Sequence, residues 1–399
     1  GPGELPKPPW FWTERGEAAI RAIKEEAAQH DSVTFYLAAD PDREGELIAW
    51  HLEKLLAGLG DLHRVSFQEI TKRAVHDAVV SPRSVDQALV DAALIRMFMD
   101  RMVGWRASRI ARRYTNTSTN SMGRVQTPTL GFIVERELER EAHVPVRYFE
   151  VNAETSATEW RVHFHDKDDP DAWLDEQHRF SAYRTAKAPL AESAHAALVA
   201  AGSVQVSDVT RRERSQAARP PFTTDTLFQA TGSRWGWSPN KTAVLAGKLY
   251  EAGHLTYIRT DSTRLATEAV EAGRSLISEA WNAELLGAVA TAEAGAGVQD
   301  AHEAIRPTNF QLETMPGAEP DAQKLYALVR AGTLASLMVP SQRVTLSLKG
   351  QCEGLELVLD GSVGWYAELG WRRAFEALGD QVDTTPVSVE TGARFEWLP

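Results

Sequence analysis

The sequence predicts a mixed α/β protein of several domains, and three observations lead there. An almost wholly apolar run from Ser32 to Ala39 opens into the acidic loop Asp40-Pro41-Asp42-Arg43-Glu44 and then a helical pattern, the strand, loop and helix order of an open α/β sheet. Long helical patterns fill 86–111 and 223–251. Alternation of polar and apolar residues, as in Trp160-Arg161-Val162-His163-Phe164, marks antiparallel strands from Tyr148 to about Arg219 and again from Val344 to Trp365. With 399 residues and 43% hydrophobic content, the chain divides into two to four domains.

In chain order, Glu14 to Gln29 is a helix with Ala18, Ile20, Ile23 and Ala27 on one side. The following strand has the composition of one buried on both faces. Asp40, Asp42 and Glu44 then crowd one loop, where carboxylates repel and a divalent cation is the natural partner; hard oxygens without nearby His or Cys select Mg²⁺ over zinc. The competing reading is Asp42 as a helix N-cap, with Glu44 and Glu46 complementing the dipole of a helix through Leu47, Ile48, His51, Leu52 and Leu55. On the helix from Asp86 to Ala111, Arg96, Asp100, Arg101 and Trp105 fall close to one face, which suits a single strand with guanidinium on phosphate and indole on a base. The alternative is an exposed Arg96/Asp100 pair with Trp105 in the core. Asn116 to Thr127 is a polar loop entering a helix around Pro128, Leu130 and Ile133; Arg124 and Gln126 sit near that helix start, a favourable place for a phosphate.

Beyond the strands at 148–219, Pro220-Pro221-Phe222 marks a boundary. The helical stretch that follows breaks at Trp235-Gly236-Trp237-Ser238-Pro239, where Ser238 caps a helix opened by Pro239 and ended at Gly253. Leu255 to Ile258 reads as a short strand that would put Tyr257 and Arg259 on the same face. A phenol beside a guanidinium is equipped as a nucleophile facing an anion; a half-buried tyrosine beside a surface arginine is the plainer alternative. His302 and Glu303 precede Arg306-Pro307, and Asp321 to Leu337 is a helix.

No window approaches eighteen apolar residues and no basic-then-apolar leader is present, so a soluble, unexported chain is expected. The single cysteine, Cys352, excludes an internal disulfide and a cysteine-rich zinc module, which fits a reducing cytoplasm. A net charge of −12 argues against nucleic acid only on average. Arg101, Arg106, Arg109, Arg112, Arg113 and Arg124 occupy one stretch without an acid, and Arg211, Arg212, Arg214 and Arg219 form a second cluster, enough for a basic groove on an acidic protein.

Tyr36 to Leu52 resembles the metal-binding segment of the Toprim fold in type IA DNA topoisomerases, and Ser66 to Thr71 the short stretch that follows it. Asp100 to Trp105, Ser121 to Thr127 and Ala301 to Thr308 are similar to three further signatures of that family, and Leu255 to Ser262 to its active-site motif. The resemblance implies a toroidal clamp: a partial Toprim domain at 1–85, a helical DNA-binding base at 86–147, a β-rich arch at 148–219 with 343–399, and a nucleophile domain at 220–342. It implies Tyr257 as nucleophile, with Arg259 and His302 assisting, and Asp40, Asp42 and Glu44 as Mg²⁺ ligands. DNA contacts are implied for Arg43, Arg96, Asp100, Arg101, Trp105, Arg124, Gln126 and Arg306. The expected partners are single-stranded and negatively supercoiled DNA, without ATP, zinc or membrane, in a cytoplasmic, nucleoid-associated setting.

Family members begin with an apolar strand ending in Glu with a Lys soon after. Glu4-Leu5-Pro6-Lys7 has only a superficial likeness to it, so an internal fragment is expected, one that binds single-stranded DNA weakly and relaxes supercoils poorly or not at all. A non-catalytic DNA-binding clamp is the alternative. Gly123 to Gly131 leans towards topoisomerase III and Ile48 to Leu52 towards topoisomerase I, so the subclass stays open.

Overall fold

The structure, a computed structural model, describes residues 13–288, 303–315 and 317–398. By internal contacts the chain divides into two units. One holds the described residues of Gly1–Leu130, Gly247–Ile258 and Gly297–Glu303; the other holds those of Gly131–Ala246, Arg259–Ala296 and Ala304–Pro399.

The first unit opens with α1 (Glu14–Ala27), whose first turn is capped by the Thr13 hydroxyl accepting from the Gly16 amide at 3.1 Å. β1 (Thr34–Leu37), α2 (Arg43–Leu56) and β2 (Asp61–Arg64) follow as a β-α-β unit, the two strands parallel in register from Thr34 opposite Asp61 to Leu37 opposite Arg64. Only Leu37 of β1 is buried, and Tyr36 is 45% exposed, so the expected strand buried on both faces is not what forms. The apolar run lies in a two-stranded sheet among the described residues, and a sheet that narrow leaves one face of β1 uncovered. α3 (Lys72–Val80) is capped by Thr71, and the 29-residue α4 (Gln87–Thr115) by Asp86. α4 packs on α2 and ends at Asn116, whose φ of 51° is the left-handed conformation that asparagine tolerates. α5 (Gln126–Ala142) has no buried residue, and Leu130, Phe132 and Ile133 on it are more than half exposed.

In the second unit, β3 (Asn152–Glu154), β4 (Glu159–Val162), β5 (Ser203–Gln216), β6 (Ser341–Gln351), β7 (Leu359–Glu368) and β8 (Arg394–Glu396) make an antiparallel sheet in the order β3-β4-β7-β6-β5-β8. The alternation seen in the sequence is therefore genuine strand, but it does not run unbroken. Residues Ala188–Ala201 form a helix, α6, which packs Ala191, Ala194 and Leu198 against Trp160, Val204 and Leu348 of the sheet. Half of α6 is alanine, which leaves no sharp apolar stripe for periodicity to find, and Gly202 at φ 65° ends it. α7 (Thr224–Trp235) and α8 (Pro239–Glu251) are separated at the predicted break; Gly236 takes φ 66° and the Ser238 hydroxyl accepts from the Lys241 amide at 3.2 Å. α9 (Thr267–Ala280), α10 (Pro320–Ser336) and a 3₁₀ segment, Gly370–Leu378, enclose a second core of Ile277, Phe310, Leu334, Leu337 and Ala374. No described helix is long and apolar enough to cross a membrane.

Candidate active site at Tyr257 and the acidic loop

The acidic loop is shaped by what holds its backbone. Asp42 is the N-cap of α2, its Oδ1 accepting from the Gly45 amide at 2.7 Å. Gly45 lies so close to the loop that a Cβ there would sit 2.1 Å from the Asp40 carbonyl oxygen. Gly45→Ala therefore has to push the loop and the first turn of α2 apart, with an expected loss of roughly 2 kcal/mol or more of stability; a urea titration against the parent chain checks it.

Beneath the loop is a buried ionic network. Arg64, the last residue of β2, is 1% exposed, and its guanidinium donates to the carbonyl oxygens of Leu37 (2.9 Å), Ala39 (2.7 Å), Asp40 (2.8 Å) and Val65 (2.5 Å). It also donates to Glu46 at 3.0 Å. Glu46 is fully buried and accepts further hydrogen bonds from Arg83 at 2.7 and 2.8 Å and from the Asp86 amide at 2.7 Å. Burial alone would raise the Glu46 pKa, but the bonds from Arg83, Asp86 and Arg64 outweigh it and hold the carboxyl at about 2, against an ordinary 4.5. From sequence alone Glu46 is expected only to complement the helix dipole, and nothing local marks Arg64 or Arg83 as its partners. These two lie 18 and 37 residues from Glu46, a spacing with no local signature.

Tyr257 reaches this loop from the end of α8. Gly253 takes φ 75°, and a Cβ on it would lie 2.4 Å from the Ile70 carbonyl oxygen, so glycine is required both for the turn and for the close approach. The Tyr257 amide donates to the Gln68 carbonyl at 2.7 Å and Thr256 bridges Glu69, which gives the 66–71 segment its physical role: it docks the tyrosine-bearing turn. Leu255 to Ile258 is therefore an extended segment held by the Thr256 bridge and the Tyr257 amide hydrogen bond, not the strand expected, and strand alternation is not what aligns Tyr257 and Arg259. Tyr257 is 3% exposed, whereas Arg259 is exposed. The Tyr257 hydroxyl donates to Asp42 Oδ2 at 2.6 Å, with Asp40 Oδ2 at 3.4 Å. Tyr250 packs edge-on against Tyr257, ring centres 5.3 Å apart, and its own phenol is pushed up to about 12 by burial and then by the charges of Asp40 and Asp42.

A phenol bonded to a carboxylate has a proton acceptor already in place, the arrangement a tyrosine nucleophile needs. The two Oδ2 atoms converging on it are hard donors, and Mg²⁺ commonly takes one or two carboxylates and completes its shell with water, so Asp40 and Asp42 fit that ion. Glu44, the third predicted ligand, is turned instead to Arg96 at 2.8 Å, and no cluster of three or more ligand-type side chains occurs among the described residues.

Arg96 also lies 3.9 Å from Asp100, which accepts from Arg124 at 2.8 Å, so Glu44, Arg96, Asp100 and Arg124 form one half-exposed chain of alternating charge from α2 across α4 to the start of α5. The Arg124 hydrogen bond draws the Asp100 carboxyl below its usual range. Trp105 is not in the core: it is 63% exposed, with the Arg101 guanidinium 4.6 Å from its ring centre. Gln126 donates to the Ser121 hydroxyl at 3.1 Å, and Arg43 is exposed at the head of α2. Arg306, by contrast, is 7% exposed and donates to the Pro307 carbonyl at 3.2 Å. His302, and the Glu4 to Lys7 stretch, lie outside the described residues.

A family profile described as DNA topoisomerase matches residues 84–397, and one described as Toprim domain matches residues 13–70. DNA topoisomerase 1 of Vibrio cholerae is 35% identical over 383 residues, 94% of this chain and 42% of that protein. DNA topoisomerase 1 of Escherichia coli is 34% identical over 377 residues, covering 92% and 41%. The chain thus spans about two fifths of these relatives' length. Full-length topoisomerase I from Thermotoga maritima superimposes with a TM-score of 0.76 at 28% identity, over 98% of this chain and 62% of that one.

Proposed function

The chain belongs to the DNA topoisomerase family, and from that membership we propose that it carries the cleavage and religation centre of a type IA enzyme, with Tyr257 as the nucleophile. The observation that carries the reading is the 2.6 Å hydrogen bond from the Tyr257 hydroxyl to Asp42. In the proposed reaction the Tyr257 proton passes to Asp42 as Tyr257 Oη attacks a phosphodiester of single-stranded DNA. A bond from Oη to phosphorus forms, the bond from phosphorus to the 3′-oxygen breaks, and the proton taken up by Asp42 passes to that oxygen, which leaves as a 3′-hydroxyl. Religation reverses each step, and because the phosphotyrosine keeps the energy of the broken bond, no ATP is consumed. Passage of a second strand through the break would relax negative supercoils.

Mg²⁺, held by Asp40 and Asp42, would supply positive charge near the reacting phosphate. Arg259 would offset negative charge on that phosphate, and His302 would assist. Arg43, Arg96, Arg101, Arg124 and Gln126 would hold the backbone of the strand, with Trp105 stacking on a base. The four-part toroidal division, and a cytoplasmic place with the nucleoid, belong to the same reading.

Trapping tests it directly: incubation with a labelled single-stranded oligonucleotide and Mg²⁺, followed by denaturation, should leave label covalently on the protein at Tyr257. A non-catalytic clamp would bind the oligonucleotide and give no adduct. Trp105→Ala should weaken oligonucleotide binding by about 1 to 3 kcal/mol, read by fluorescence anisotropy, because one stacked base is lost; unchanged affinity would remove Trp105 from the strand's path.

A further inference from the structure

The second unit contains a cleft of about 990 Å³ that none of the candidate active-site residues lines. Its walls come from the Arg219 to Phe222 boundary, α7, the buried side of α10 and the Gly370–Leu378 segment with the chain after it. The floor is apolar and carries small residues where α10 passes: a Cβ on Gly332 would meet the Phe222 ring at 2.4 Å. Aromatic side chains stand over it, Phe222 on one side and the edge-on pair Trp371 and Phe375, ring centres 5.7 Å apart, on the other.

The charged lining is three arginines, Arg219, Arg234 and Arg372, against Glu376 and Asp380. Arg234 is already paired with Asp380. Among the described residues neither Arg219 nor Arg372 forms an ion pair with a carboxylate; Arg372 donates to the Gln216 side chain at 3.2 Å, lies against the Trp371 and Tyr366 rings, and keeps a buried Nε without a hydrogen-bond partner. A buried guanidinium nitrogen left unsatisfied is costly, and an acceptor brought by a ligand relieves it.

We propose that this cleft binds an aromatic anion of the nucleoside phosphate class, its base against Trp371, Phe375 and Phe222 and its phosphate at Arg219 and Arg372. The volume is that of a small-molecule site, apolar surface dominates the floor, and with Asp380 paired to Arg234, Arg219 and Arg372 are left against one lining carboxylate, Glu376, as donors that match phosphate. A free nucleotide and the terminal nucleotide of a DNA strand present the same chemistry. The proposal does not depend on Tyr257 being a nucleophile.

The test is calorimetric titration of the whole chain with deoxyadenosine 5′-monophosphate, deoxyadenosine, inorganic phosphate and a 5′-phosphorylated oligonucleotide. Saturable binding of the monophosphate is expected, at least about tenfold tighter than deoxyadenosine or phosphate alone, since each supplies half of the recognition. Arg219→Gln and Arg372→Gln should each weaken it at least about fivefold. Arg219 is exposed, so its variant keeps the test valid even if Arg372→Gln impairs folding. Tyr257→Phe should bind the monophosphate as the parent does, which separates this site from the cleavage centre. Competition between oligonucleotide and monophosphate assigns the site to a strand end, and its absence assigns it to free nucleotide; both support a nucleotide site. No saturable binding up to about 5 mM, or binding unaffected by Arg219→Gln, overturns the proposal.

Discussion

Tyr257→Phe should abolish covalent capture of DNA while leaving the chain folded. The substitution removes one oxygen, and with it the only atom of that side chain that can form the bond to phosphorus. Phenylalanine keeps the edge-on contact with Tyr250 and the buried ring. What it takes from the fold is the 2.6 Å bond to Asp42, a carboxylate only 9% exposed, which should cost on the order of 1 to 3 kcal/mol. Asp42 still accepts from the Gly45 amide, so the cap of α2 survives. Labelled oligonucleotide capture and circular dichroism on the same preparation separate the two effects, and an adduct that persists in a folded phenylalanine variant would mean that another group attacks the DNA.

The second large effect is expected at Glu46 and Arg64. Arg64→Leu should destabilise the first unit by about 3 to 5 kcal/mol, because it leaves a fully buried carboxylate with one partner fewer and releases the carbonyls of Leu37, Ala39 and Asp40. The acidic loop would lose its mooring along with the stability. The pH dependence follows from Glu46, whose folded pKa of about 2 lies below its ordinary 4.5. A depressed folded pKa stabilises the fold fully above the unfolded value, and this contribution is lost as pH falls from about 4.5 towards 2. At neutral pH it amounts to about 3 kcal/mol. Stability of the parent to urea should therefore fall by about 3 kcal/mol between pH 5 and pH 2, and Glu46→Gln should flatten that slope. An unaltered slope in Glu46→Gln would assign acid sensitivity to other carboxylates.

Several of these features were legible in the sequence and others were not, for identifiable reasons. The helices of Glu14–Ala27, Gln87–Thr115 and Pro239–Glu251 follow from periodicity and from caps at Thr13, Asp86 and Ser238, all local signals. Asp42 is the N-cap that its place before α2 allows, one oxygen capping the helix, while its other oxygen meets Tyr257, a contact that no local spacing announces. The alanine-rich α6 escaped because its packing face is set by residue size more than by polarity. The extended segment at Tyr257 looks like a strand because its β-branched and aromatic residues are those of a strand, yet against the 66–71 segment it makes an isolated bridge from Thr256 to Glu69 and an amide hydrogen bond from Tyr257 to Gln68, not a ladder. The Glu44 to Arg124 charge chain and the Glu46 network depend on residues far apart in sequence, where spacing carries no information.

The double use of Asp42 has a genetic consequence. Asparagine at this position would still cap α2 through its amide oxygen, so the fold should tolerate it, but the group facing Tyr257 would become an NH₂. The hydrogen bond would then run the other way, with the phenol receiving where it formerly gave, and the tyrosine would lose its near proton acceptor, leaving only the more distant Asp40 at 3.4 Å. Asp42→Asn is thus the allele that uncouples architecture from reactivity: a chain with wild-type melting behaviour and no strand capture would carry it, whereas Asp42→Ala would lose both at once.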